Sequence, residues 1–233
     1  MCSTGGDAAG VLSEYAILPQ SAVLHIPEYL NYQEAATLPC AAVTAWTCIK
    51  AANIKKGDTV LLLGTGGVSI FGLQIAKALG ANVIITSSSN EKLERAKDLG
   101  ADELINYKEN SDWGSKAFQA AGGGVNLVIE IGGGSTFDQS MEALTIGGHI
   151  SLIGALGGVK TELNLLQIVF KNIHTHGITV GSREDHEEMN RFLDEHQIHP
   201  VIDKEVTFEQ GADAIMGIAA GNHFGKIVIN LDR

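Results

Sequence analysis

The chain has 233 residues, 45% of them hydrophobic, with 27 acidic and 16 basic side chains and a formal charge of −11. That is enough apolar material for one large domain with a true core, while the acidic balance and the lack of a basic stripe argue against nucleic-acid or membrane-surface partners. The cysteines Cys2, Cys40 and Cys48 fit neither paired zinc spacing nor a disulfide framework, and no leader or membrane-length apolar run is visible, so a cytoplasmic protein is expected.

In chain order, residues 1–10 are small, polar and glycine-rich. Residues 11–18 and 22–26 read as two short strands separated by Pro19, with Pro27 after the second. A short helix is expected at 32–38, a bend at Leu38-Pro39, and a helix at 41–52. Residues 59–81, TVLLLGTGGVSIFGLQIAKALGA, then combine an apolar run, a glycine turn and a helical pattern ended by Gly80. Further strands are predicted at 82–86, 103–106, 126–131, 148–153 and 177–180. Helices are predicted at 90–99, within 111–121, at 135–144 with Ser135 or Thr136 as cap, and near 163–171. Six strands with intervening helices describe an α/β protein with a doubly wound parallel sheet. After a charged helix at 184–196, Pro200 marks a boundary. A β-rich tail follows, with strands at 201–208 and 226–231 around a helix near 212–220. Neither this tail nor the opening strands has enough core alone, so the two are expected to form one module.

The glycine turn carries the chemistry. Gly64, Gly66 and Gly67 leave a strand-to-helix bend without side chains, where backbone N–H groups and the positive end of a helix can meet a diphosphate. The fingerprint is imperfect, because Ser69 stands where a third glycine is usual, and the lysine of an ATP-binding P-loop is absent. A bare glycine-bearing turn that binds nothing is the bland alternative. Beyond the second strand, where an acidic residue would accept ribose hydroxyls, stand Ser87, Ser88, Ser89 and Asn90, with Lys92 one turn on. Hydroxyls and a cation suit a 2′-phosphate, so NADP is expected over NAD. Glu91 has capping-box spacing from Ser88, and Lys92 has a bland reading as a solvated helix charge.

Together these stretches resemble the medium-chain dehydrogenase/reductase superfamily, specifically its quinone-reductase-like and alcohol-dehydrogenase-like members. The matching words include EAATLPC at 34–40 with Thr44-Ala-Trp46, KGD at 56–58, the GTGGVS turn, SSSNEKL at 87–93, Ile105-Asn-Tyr107, GGH at 147–149, LIG at 152–154 and HFGK at 223–226. The resemblance implies a six-stranded Rossmann domain at 39–199. A remnant of a GroES-like β-rich catalytic domain would occupy 1–38 and 200–233, most of that domain preceding the stretch seen here. It implies that Gly66, Gly67 and Val68 line a pyrophosphate, Ser88 and Lys92 hold a 2′-phosphate, and Tyr107 packs beside it. Thr44, Ile131, Gly154 and Ala155 would lie near the nicotinamide. It further implies hydride transfer between NADPH and a carbonyl, enone or quinone, and a homodimer joined along the edge strand near 177–180.

Two other readings stand beside this one: a shortened cofactor-binding protein without turnover, and a zinc alcohol dehydrogenase. Cys40 falls at a catalytic-zinc ligand position of zinc-dependent members, but a lone thiolate does not hold zinc, and a small buried hydrophobe is its simpler reading. His174-x-His176, which strand alternation would put on one face, and His196-x-x-His199 lack converging carboxylates or cysteines. Asp185, Glu187 and Glu188 read as a solvated helix face. No catalytic residue can be nominated, and no metal is expected.

Overall fold

The computed structural model describes residues 6–231. Two helices, α1 (Tyr32–Ala35) and α2 (Val43–Ala51), lead into β1 (Thr59–Leu63), α3 (Gly67–Ala78), β2 (Asn82–Ser87), α4 (Asn90–Asp98) and β3 (Glu103–Asn106). Then come α5 (Trp113–Ala120), β4 (Val125–Glu130), α6 (Phe137–Ala143), β5 (Leu144–Leu152), α7 (Leu165–Lys171), β6 (His174–Gly177) and α8 (Arg183–His196). The tail adds β7 (Ile202–Thr207), α9 (Gly211–Ile218) and β8 (Lys226–Asn230). Strands β1 to β6 form one parallel sheet in the order β3-β2-β1-β4-β5-β6.

Every residue of β1 is buried, because helices cover both faces of the sheet. Val60 and Leu62 enter one apolar layer with Leu73, Leu93, Met189 and Leu193 from α3, α4 and α8. Leu61 and Leu63 enter the opposite layer with Trp113, Phe137 and Met141 from α5 and α6. A strand whose side chains alternate between two covered faces has to read as a continuous apolar run, and this one does. The sheet-packing role usual for the third glycine of such a turn falls to two residues. Ser69 is buried and donates its hydroxyl to Leu63 O at 2.8 Å, and a Cβ on Gly72 would come within 3.0 Å of Leu62 Cδ2.

The opening stretch departs from expectation. Residues 11–18 and 22–26 form no strands: apart from a 3₁₀ turn at Gln20–Ala22 the chain there is irregular, and Tyr15 and Ile17 are fully exposed. A strand persists through ladder bonds to a neighbour, and the neighbour expected in the tail is engaged elsewhere, since β7 pairs with β8 in parallel. Ser13 and Glu14 still border a cleft shared with Thr207, Phe208 and Asn230. The sixth strand lies three residues earlier than predicted: β6 at His174–Gly177 pairs with His149–Leu152 at the sheet edge. Cys40 is exposed, and the buried thiol is Cys48, whose pKa burial pushes up to about 12. No helix among the described residues is long and apolar enough to cross a membrane.

Helices α5 and α6 touch through Gly114, whose N–H donates to Gln139 Oε1 at 2.8 Å. A Cβ there would stand 2.3 Å from the Gln139 carbonyl oxygen. Gly114→Ala gains up to about 1 kcal/mol of helix propensity, but forcing backbone apart costs about 1–3 kcal/mol. The expected net result is a lower urea midpoint at unchanged denaturant slope; a midpoint at or above that of the parent would refute the close helix contact.

Candidate functional site

Strand order reverses between β1 and β4, which pair side by side while their crossovers leave in opposite directions. A doubly wound sheet opens a crevice beyond the carboxyl ends of two such strands. Gly64, the first residue past β1, has φ +72°, and a Cβ on it would stand 3.6 Å from Ile131 Cδ1, just past β4. Glycine takes that left-handed backbone most readily. The crevice deepens into a cleft of about 480 Å³, bordered by Gly64, Thr86, Tyr107, Trp113, Ile131 and Thr136 among others.

The glycines divide their work. Gly66 caps α3 in extended conformation and supplies no side-chain cap, so no capping side chain engages the first N–H groups of α3. The space its Cβ would fill is open except for His223 Nε2 at 3.9 Å. Gly67 is different: a Cβ on it would meet Lys226 Cδ at 2.6 Å and Ala41 Cβ at 3.0 Å, so its missing side chain admits protein. Val68 is half-buried against the core.

At the end of β2, Ser87 is buried and its hydroxyl accepts from Ser89 N–H at 3.3 Å. Its carbonyl accepts from Tyr107 N–H at 3.1 Å, which brings the exposed Tyr107 alongside. Ser88 is half-buried. The cap of α4 is Ser89, which accepts from Lys92 N–H at 3.4 Å. The spacing of Ser88 and Glu91 therefore does not make a capping box, because the helix starts one residue later than that pair requires. Lys92 is no solvated charge either. Its ammonium donates to Gly221 O at 2.5 Å and His223 O at 2.9 Å, and burial, opposed by Asp203 and Glu91 and reinforced by Arg95, holds its pKa below the usual lysine range.

On the other side of the crevice, the chain past β4 and the chain past β5 stay laced together. Ile153 N–H donates to Glu130 O at 2.9 Å, Leu156 N–H to Ile131 O at 3.2 Å and Gly157 N–H to Gly132 O at 2.6 Å. Ile131, Gly154 and Ala155 are thus held as one patch. Thr44 is buried in α2, and its hydroxyl donates to Cys40 O at 2.7 Å, so that donor is already engaged.

Three features were not anticipated from sequence. Residues 221–226 form a strap across the glycine turn: Gly225 N–H donates to Thr65 O at 2.9 Å, and Gly66 and Gly225 form a parallel bridge. Asn106 Nδ2 donates to Asn90 Oδ1 at 2.7 Å and to Glu109 Oε1 at 3.0 Å, placing a carboxylate near the end of β2. Glu130, fully buried, accepts from Gly132 N–H at 2.7 Å, Gly133 N–H at 3.0 Å, Thr136 Oγ1–H at 2.6 Å and, through its other oxygen, Ser140. Thr136 begins α6 as foreseen, but its hydroxyl serves Glu130 and not the helix. A carboxylate closing an apolar strand just before three glycines was a readable signal.

The family model for zinc-binding dehydrogenases matches residues 67–195. The chain belongs to the zinc-binding dehydrogenase family. A zinc-type alcohol dehydrogenase-like protein of Schizosaccharomyces pombe (strain 972) is 45% identical, over 98% of this chain and 68% of its own length. An acryloyl-coenzyme A reductase of Sulfurisphaera tokodaii is 32% identical over 94% of this chain and 65% of its own length. The crystal structure of an NAD-dependent alcohol dehydrogenase superposes with a TM-score of 0.90 at 32% identity, covering 98% of this chain and 67% of that one. The chain therefore spans about two thirds of the length of these relatives. The family name implies zinc, and the residues described do not fit it. Among them no group of three or more His, Cys, Asp or Glu side chains could hold a metal ion. His149, His174 and His176 stack along the β5–β6 edge, with His149 Nδ1 and His176 Nε2 3.2 Å apart, but they meet no carboxylate or thiolate.

Glu130 gives this chain a testable dependence. Glu130→Ala strands several buried donors and is expected to destabilise by about 3 kcal/mol. Glu130→Gln keeps an acceptor for the glycine N–H groups and can donate to Ser140, so it should retain most of that stability. Equal losses for Ala and Gln in urea unfolding would contradict the anchoring role.

Proposed function

We propose that this chain binds a nicotinamide dinucleotide, NADPH in preference to NADH, and serves hydride transfer to a carbonyl, enone or quinone substrate without routing the step through zinc. The observation that carries the reading is the uncapped start of α3 at Gly66, at the reversal point of the sheet, with Ser87, Ser88 and Lys92 beyond the neighbouring strand. Amide hydrogens and the helix dipole suit a diphosphate there. The relatives support the reaction class, one being a dehydrogenase of alcohols and another a reductase of an unsaturated thioester.

The bound cofactor would supply the hydride, and the protein positions it. Gly64 keeps the crevice narrow, the lacing around Ile131, Gly154 and Ala155 forms a fixed floor, and Tyr107 and Trp113 wall the cleft. Lys92 has two carbonyl partners, and a 2′-phosphate would offer its ammonium a charge-assisted bond roughly twice as strong as a neutral one. A second copy of this chain paired along the exposed edge of β6 would cover the unpaired backbone groups there.

Fluorescence titration should show NADPH bound several-fold more tightly than NADH. Lys92→Ala should erode that preference and lower the thermal midpoint somewhat, because Gly221 O and His223 O lose their donor, while the protein still folds. Equal affinities in the parent protein would end the NADP assignment. Binding without consumption of NADPH across aldehydes, enones and quinones would leave a cofactor-binding role without turnover.

A further inference from the structure

We propose that His223 is a ligand for the cofactor diphosphate, its neutral imidazole donating Nε2–H to a phosphate oxygen seated against Gly66. The inference rests on the dinucleotide reading above and adds to it a side chain from the far end of the sequence.

In a glycine turn of this kind the second glycine is bare so that a diphosphate can approach its backbone. The direction of the missing Cβ therefore marks where the phosphates lie. At Gly66 that direction leads to one side-chain atom within 4 Å, His223 Nε2 at 3.9 Å. The corresponding space at Gly67 is already filled by the stem of Lys226 and by Ala41, so Gly66 is the open position of the pair.

The strap holds the imidazole in place. Gly225 N–H is bonded to Thr65 O, the His223 carbonyl accepts from Lys92 Nζ, and the neighbouring Phe224 is buried with the Arg95 guanidinium 4.2 Å over its ring. His223 itself remains partly exposed. Its Nδ1 is buried with no hydrogen-bond partner. A buried N–H without an acceptor is rarer than an unbonded lone pair, which assigns the proton to Nε2, the atom facing Gly66. Burial and then the Lys92 ammonium keep the imidazole pKa below its usual range, with Lys226 adding to the effect and Asp203 opposing it. The ring thus stays neutral near pH 7 and acts as a directed donor, while the adjacent ammonium groups supply charge.

The probe is ADP-ribose, which has the diphosphate but neither nicotinamide nor 2′-phosphate, titrated calorimetrically into the whole chain. His223→Phe removes the donor at similar volume and should weaken ADP-ribose roughly tenfold or more, the scale of a hydrogen bond to a charged group. His223→Gln, which keeps an N–H, should restore most of that affinity. Binding of adenosine, which lacks phosphate, should be the same in all three proteins. In the parent protein labelled with ¹⁵N-histidine, ADP-ribose should shift one Nε2–H resonance of the eight histidines, and His223→Gln should delete that signal. This measurement stands even if the Phe variant does not fold. Unchanged ADP-ribose affinity in His223→Phe, or no histidine shift on saturation, would overturn the role of His223 alone. If ADP-ribose fails to bind the parent protein, the dinucleotide reading falls and this inference falls with it.

Discussion

The hydrogen bond from Gly225 N–H to Thr65 O holds together two parts of the chain that are 160 residues apart, and the candidate site depends on it. Thr65 sits inside the glycine turn, so the strap is fastened at the point where the backbone must stay bare. Once it is fastened, Lys226 packs on Gly67, His223 faces Gly66, and two strap carbonyls reach the Lys92 ammonium. Each contact is modest in water-exposed surroundings. Together they bring the first turn of α3, the first turn of α4 and the tail into one arrangement, in which no single partner can move without uncovering another.

A second constraint acts across the crevice. Glu130 gathers its donors from the loop that follows its own strand, and that loop is laced in turn to the exit of β5. A carboxylate in an apolar layer is tolerated only with its acceptor capacity used, and here each oxygen is engaged. The result is a laced floor beside Ile131, opposite the glycine-determined wall at Gly64. The site thus has one side set by a buried, fully engaged carboxyl group and one side set by the absence of side chains. This division suits a ligand that is polar at its phosphates and flat at its rings.

The alternation of strands and helices was legible in the sequence because the central strands β1, β2 and β4 are short, largely apolar on both faces and followed by a glycine or polar turn. β3 lies where the residues predict, and β1, β2 and β4 within a residue of it. The opening strands were not legible: a short apolar-rich stretch bounded by Pro19 is a local pattern, and a strand needs a partner that sequence does not supply. The placement of β6 failed for a related reason, since its bounds follow from pairing with His149–Leu152 and not from its own composition. Among the site residues, Gly64, Tyr107 and Ile131 share the cleft, whereas Thr44 and Gly67 are occupied by contacts within the protein.

The sequence alone determined the doubly wound sheet, the bare turn at its reversal point and the cluster of hydroxyls with a cation beyond the second strand, because periodicity, glycine and residue type are local properties. Only the tertiary structure decided that Lys92 is held by strap carbonyls, that Gly67 admits a side chain and not a ligand, and that His223 faces Gly66. Those facts depend on which distant segments meet, and long-range contact is set by packing and by the pairing of unsatisfied backbone groups, neither of which any short stretch of residues contains.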